Sequence, residues 1–238
     1  MRSILIVFGL LFLMMSCSSS SEALKPEESE ENEIQNSPNN LSYLALGDSY
    51  TIGESVSQDM RWPVQLVKQL RNKGEEINAP RIIAKTGWTT DNLLNAIDAN
   101  LGNEKYDLVS VLIGVNNQYQ NKSLEDYEED LNTIFTEAIA ASKTGKEGVF
   151  VVSIPDYGAT PFGASNAEEI GREIIEFNII LEKVANQFDL SFYNITPISK
   201  KAKSDRSLVA NDGLHPSGKM YALWVDLFFD EVLEKLQN

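Results

Sequence analysis

Histidine and cysteine are almost missing from this chain, with one of each among 238 residues. A lone cysteine excludes an internal disulfide and a thiolate cluster for zinc. One histidine leaves too few ligands for a His-based metal site, and nothing else in the sequence calls for a metal or an organic cofactor. Positive charge is also short: 20 Lys and Arg face 35 Asp and Glu, for a formal charge of −15. Such a surface repels phosphate backbones and anionic lipid headgroups, so no nucleic acid partner is expected. No internal repeat is present. The one long apolar run, Ile4 to Met15, is too short to cross a bilayer as a helix.

That run is preceded by Arg2 and followed by Ser16 and Cys17, the flanks of a secretory leader. Residues 1–16 are therefore expected to be a signal peptide. The small residue before the only cysteine resembles a lipobox, with Met14 where leucine is usual. The resemblance implies that Cys17 is diacylated and tethers the chain to a membrane of the bacterial cell envelope, at the periplasmic face or the cell surface. Over residues 17–40 the composition then turns to Ser, Glu, Asn and Pro, with six glutamates against one lysine. A segment of this kind cannot bury enough apolar surface to offset its ordering entropy, so a disordered acidic tether is expected. Residues 41–238 suit one domain. Setting aside the tether's net −5 and the leader's Arg2 leaves −11 on that domain.

The domain alternates strands and helices. Tyr43 to Leu46 is an apolar run closed by Gly47, which reads as a buried strand ending in a sharp turn. Val64, Leu66, Val67 and Leu70 recur at helical spacing over Trp62 to Lys73. Arg81 to Ala84 is a second strand and Asp91 to Asn100 a helix. Leu108 to Ile113 is continuous and β-branched, as a central parallel strand should be. A helix over Leu124 to Ser142, a strand over Val149 to Ile154, a helix over Glu168 to Gln187, a short strand near Leu190 to Tyr193 and a last helix from about Ser217 to Leu236 complete the rhythm. It predicts an α/β fold, with a mostly parallel five-stranded sheet between two helix layers. Ligands in such sheets sit at the carboxyl ends of the strands, where Ser49 follows the first strand and Gly114 and Asn116 the third.

Chemistry concentrates at that edge. A serine hydroxyl is a poor nucleophile until a base takes its proton, and the one histidine, His215, stands in Asn211-Asp212-Gly213-Leu214-His215-Pro216 with a carboxylate three residues before it. Asp48 reads as a turn former whose carboxylate satisfies nearby amides. Trp88, Tyr119, Tyr157 and Phe162 follow strand ends and suit either a cleft wall or packing. Asp156 to Asn166, with Gly158, Pro161 and Gly163, reads as a modest mobile loop and not as a large apolar lid.

Gly47-Asp48-Ser49, Gly87, Gly114-Val115-Asn116 and Asp212 to Pro216 occur in the order and spacing of the SGNH, or GDSL-type, hydrolases, which residues 41–238 resemble throughout. The resemblance implies the three-layer α/β/α flavodoxin-like fold and a serine esterase. It also implies Ser49 as nucleophile, His215 as general base and Asp212 as its partner, with an oxyanion hole from the Ser49 and Gly87 N–H groups and the Asn116 amide. Two departures stand out: Asn117 replaces the usual aspartate after Asn116, and Tyr50 replaces a common leucine. The implied substrates are carboxylic esters with short acyl groups or small alcohols, such as acetylated carbohydrate or lysolipid-like esters. Transfer to an alcohol other than water and an inactive binding role are the alternatives, and the sequence leaves oligomeric state open.

Overall fold

Five parallel strands form one sheet in the order β2-β1-β3-β4-β5, where β1 is Tyr43–Gly47, β2 Arg81–Ala84, β3 Leu108–Leu112, β4 Val149–Val152 and β5 Ser191–Tyr193. This computed structural model describes residues 36–237. The leader, Cys17 and the tether up to residue 35 lie outside the described residues. Within the tether's last residues, Ser37 N–H donates to Asn78 Oδ1 at 2.9 Å and Asn78 Nδ2 returns a bond to the Ser37 carbonyl at 2.9 Å.

Eight α-helices accompany the sheet among the described residues: α1 Ser49–Ile52, α2 Trp62–Asn72, α3 Thr90–Asn100, α4 Val115–Tyr119, α5 Leu124–Ala141, α6 Ala167–Gln187, α7 Thr196–Ser199 and α8 Gly218–Gln237. Every residue of β1, β3 and β4 is buried, which requires cover on both faces and explains the continuous apolar runs. One face carries α2 against α8, and the other carries α5 between α3 and α6. On the first face Trp62, Phe150 and Phe228 meet edge to face or tilted, with centroids 5.6–6.3 Å apart. On the second, Tyr127 meets Phe177 at 4.9 Å and Phe135 meets Phe188 at 6.0 Å. Burying such a side chain contributes about 2–3 kcal/mol, so these clusters clamp both helix layers to the sheet.

Two devices fix the strand ends that matter. A Cβ on Gly47 would lie 2.2 Å from Thr51 Oγ1 and 2.4 Å from the Leu112 carbonyl, so only glycine lets β1 turn into α1 beside β3. Gly114, with φ +129°, does the same after β3, where a Cβ would strike the Tyr127 hydroxyl at 2.4 Å. The strand order reverses direction between β1 and β3, and a crevice opens there at the carboxyl ends.

Candidate active site

Ser49, Gly87, Asn116 and His215 line one cavity of about 180 Å³ at that crevice. Each arrives on a different segment. Ser49 is the first residue of α1, whose N-cap is Asp48: the Asp48 Oδ1 accepts the Tyr50 N–H at 2.9 Å. Its other carboxylate oxygen is buried and meets no hydrogen-bond partner. Burial pushes the Asp48 carboxyl up to about 7, against the opposing bond from Tyr50.

Gly87 sits third in a turn closed by Trp88 N–H to the Lys85 carbonyl at 3.2 Å, with φ +83° and open space where a Cβ would stand. Asn116 lies on the first turn of α4 and spends one amide hydrogen on the Trp88 carbonyl at 3.0 Å. An amide nitrogen has two hydrogens, so that bond orients the second while leaving it available.

His215 is buried against the Tyr50 ring, whose centroid is 5.3 Å from its own. Its Nδ1 lies 2.6 Å from Asp212 Oδ2. Asp212 Oδ1 accepts the N–H groups of Leu214 at 2.9 Å and His215 at 3.0 Å, and Oδ2 also accepts the Ser55 hydroxyl at 2.7 Å. Partial burial opposes ionisation, but the donors from His215, Ser55 and the backbone outweigh it and hold Asp212 well below the usual carboxylate range. An ionised carboxylate only accepts, so Nδ1 carries a proton, and in the neutral imidazole Nε2 then presents its lone pair. The arrangement therefore brings an imidazole, a hydroxyl and neutral donors to one cavity.

A sequence model of the GDSL-like Lipase/Acylhydrolase family matches residues 45–223. The chain belongs to that family. Solved structures with the same fold include a psychrotrophic esterase from Pseudoalteromonas sp., 19% identical, with a TM-score of 0.64, covering 84% of this chain and 100% of that one. A lipase/acylhydrolase from Enterococcus faecalis is 24% identical over 82% of this chain and 96% of its own, with a TM-score of 0.65. An acetylxylan esterase from Geobacillus stearothermophilus is 18% identical over 81% and 94%, with a TM-score of 0.62. The curated proteins contain no match. As a GDSL-family member the chain is an SGNH-type hydrolase of ester bonds.

Within this GDSL-family frame, Asn117 is matched to its neighbours. Its Oδ1 accepts Thr90 N–H at 3.0 Å and its Nδ2 donates to Thr90 Oγ1 at 2.7 Å, while the Thr90 hydroxyl proton goes to Asp130. An aspartate at 117 would set an acceptor against an oxygen whose proton is already committed. The supporting bonds thus differ from the family pattern, and Asn116 still lines the cavity.

Of the four aromatics, Tyr119, Tyr157 and Phe162 line the cavity, whereas Trp88 contributes its carbonyl and packs on the core. The expectation of a mobile loop over Asp156 to Asn166 does not hold in its bonding. Asp156 Oδ1 caps Gly158 N–H at 2.9 Å, Thr160 Oγ1 donates to the Tyr157 carbonyl at 2.7 Å, and Phe162 N–H donates to the Gly213 carbonyl at 3.0 Å. Ser55 had no sequence signal at all, lying 157 residues from the carboxylate it serves.

Proposed function

We propose that the protein is a serine esterase that hydrolyses carboxylic esters of short acyl groups through a covalent acyl-enzyme. The observation that carries this reading is the shared cavity: Ser49, Gly87, Asn116 and His215 line it, and Asp212 is bonded to the far nitrogen of the imidazole. His215 Nε2 takes the Ser49 Oγ proton as Oγ attacks the ester carbonyl carbon. The carbonyl oxygen becomes an oxyanion, met by the N–H groups of Ser49 and Gly87 and the free amide hydrogen of Asn116, each such donor being worth a few kcal/mol at the transition state. The C–O bond to the alcohol breaks, and the imidazolium returns its proton to the departing oxygen. Water then attacks the acyl-enzyme, giving its proton to His215, and collapse frees the carboxylic acid and restores Ser49. Asp212 holds the Nδ1–H tautomer and stabilises the imidazolium.

The small volume and the apolar floor of Tyr50, Val115 and Leu214 support short acyl groups. A diacylated Cys17 with an acidic tether would display the enzyme at a membrane of the bacterial cell envelope; an N-terminal Ser16-Cys17 pair after an apolar run supports that placement. The test is hydrolysis of p-nitrophenyl esters of increasing chain length by the protein and by Ser49→Ala. Rates should fall steeply beyond short chains and drop about 10⁴- to 10⁶-fold in the variant. A folded protein inactive on every chain length would instead indicate transfer to an alcohol other than water or a binding role.

A further inference from the structure

We infer that the aromatic wall of the cavity and the acidic groove behind it bind the alcohol half of the ester, and that this alcohol is a neutral sugar. The inference rests on the esterase reading above. Tyr119, Tyr157 and Phe162 line the Ser49 cavity on one side and a second hollow of about 340 Å³ on the other. Beyond the rings that hollow is mainly polar, with Gln118, Asn121, Ser165, Asn166, Glu169 and Glu173. An ester whose acyl group sits beside Ser49 therefore passes its alcohol across the rings and into the groove.

The rings form one tilted, edge-to-face cluster. Their centroids stand 6.2–6.3 Å apart and no pair stacks face to face. Tyr119 is 57% and Phe162 50% exposed, so both offer ring surface to a ligand. Their positions are fixed by α4 and by the Phe162 to Gly213 hydrogen bond. An aromatic face takes the C–H face of a pyranose ring, while amides, hydroxyls and carboxylates accept and donate to the sugar hydroxyls around it. Gln118 Nε2 donates to Glu173 Oε2 at 2.6 Å, which steadies that carboxylate at the groove wall.

The charge of the groove selects among alcohols. Two carboxylates and neither lysine nor arginine line the two hollows, so a phosphate-bearing alcohol would meet like charge with no cation to offset it. A quaternary ammonium alcohol could use the rings and carboxylates, but it offers no hydroxyl to Asn121, Asn166 or Ser165. A long alkyl chain would lie against carboxylates. A neutral polyhydroxyl ring suits both the exposed aromatic faces and the polar side chains beyond them.

The experiment compares acetates of three alcohols, so that the acyl group is constant: mono-O-acetyl cellobiose, acetylcholine and ethyl acetate. The protein is expected to show a kcat/KM at least about tenfold higher for the sugar ester than for ethyl acetate, mainly through KM, with no such advantage for acetylcholine. Tyr119→Ala and Phe162→Ala should each lower the ratio of sugar to ethyl ester by about tenfold, and Tyr119→Phe should restore it. Equal rates on the two esters, a preference for acetylcholine, or variants that lower both substrates alike would overturn the subsite and leave the esterase reading intact. If no ester is hydrolysed, the esterase reading fails. Titration of intrinsic fluorescence with cellobiose then decides the subsite, a saturable change lost in Tyr119→Ala upholding it and no change overturning it.

Discussion

The turn that carries Ser49 and the loop that carries His215 each hold an aspartate, and the two live in opposite surroundings. Asp48 is wholly buried, accepts a single N–H on one oxygen and leaves the other without a partner. Asp212 lies at the surface and accepts four donors over its two oxygens. Burial raises the first carboxyl to about 7, and hydrogen bonding depresses the second below the ordinary range. Identical side chains are thus divided by depth and donor count together: the ionised one can support an imidazolium, and the other shapes a turn.

Asp212→Asn strikes hardest at this contrast. An amide cannot hold the Nδ1–H tautomer in the same way, so kcat on a p-nitrophenyl acetate assay should fall about 10³- to 10⁴-fold with the fold intact by circular dichroism. A loss below about tenfold would show that the two carboxylates are not functionally divided. Because Asp212 is held ionised, its own protonation should not limit activity until the pH falls below the ordinary aspartate range.

Asp48→Asn probes the other side through stability. An unfolded aspartate titrates near 4, and burial moves Asp48 to about 7. Between those values the folded protein keeps a proton that the unfolded chain has released, so stability falls as pH rises. The full span is worth up to about 4 kcal/mol. Urea unfolding of the protein and of Asp48→Asn should therefore diverge in favour of the variant as pH climbs from about 4 to about 8. A difference independent of pH would mean that Asp48 ionises normally.

The smallest effect is expected at Ser55. Removing its hydroxyl takes one of four donors from Asp212, and Ser55→Ala should lower kcat roughly two- to tenfold while leaving KM near its original value. A loss as large as that of Asp212→Asn would move Ser55 from a supporting to a required position.

Strand and helix periodicity made the fold readable, because β1, β3 and β4 are buried on both faces and so carry unbroken apolar runs. Helix boundaries shifted by a residue or so, as where α6 starts at Ala167 and α5 ends at Ala141. Ser49, Asn116 and His215 were legible because each is locked to a local backbone feature: a strand end, a positive-φ glycine or a tight loop. Ser55 and the Thr90–Asp130 partners of Asn117 were not, since their meaning lies in contacts across long sequence separations. The bonding of Asp156 to Asn166 was hidden for a related reason: glycine and proline announce a turn, yet nothing local announces the Gly213 carbonyl that holds it.

The strand order also sets a timetable. The turn bearing Ser49 follows β1, which becomes a central strand only when β3 docks beside it, and His215 comes after β5, just ahead of α8. Domains are made from the N-terminus onward, and parallel pairing waits for distant segments. A chain ending before His215 therefore has the Ser49 turn with no imidazole beside it, and the proposed chemistry waits on the loop that follows β5.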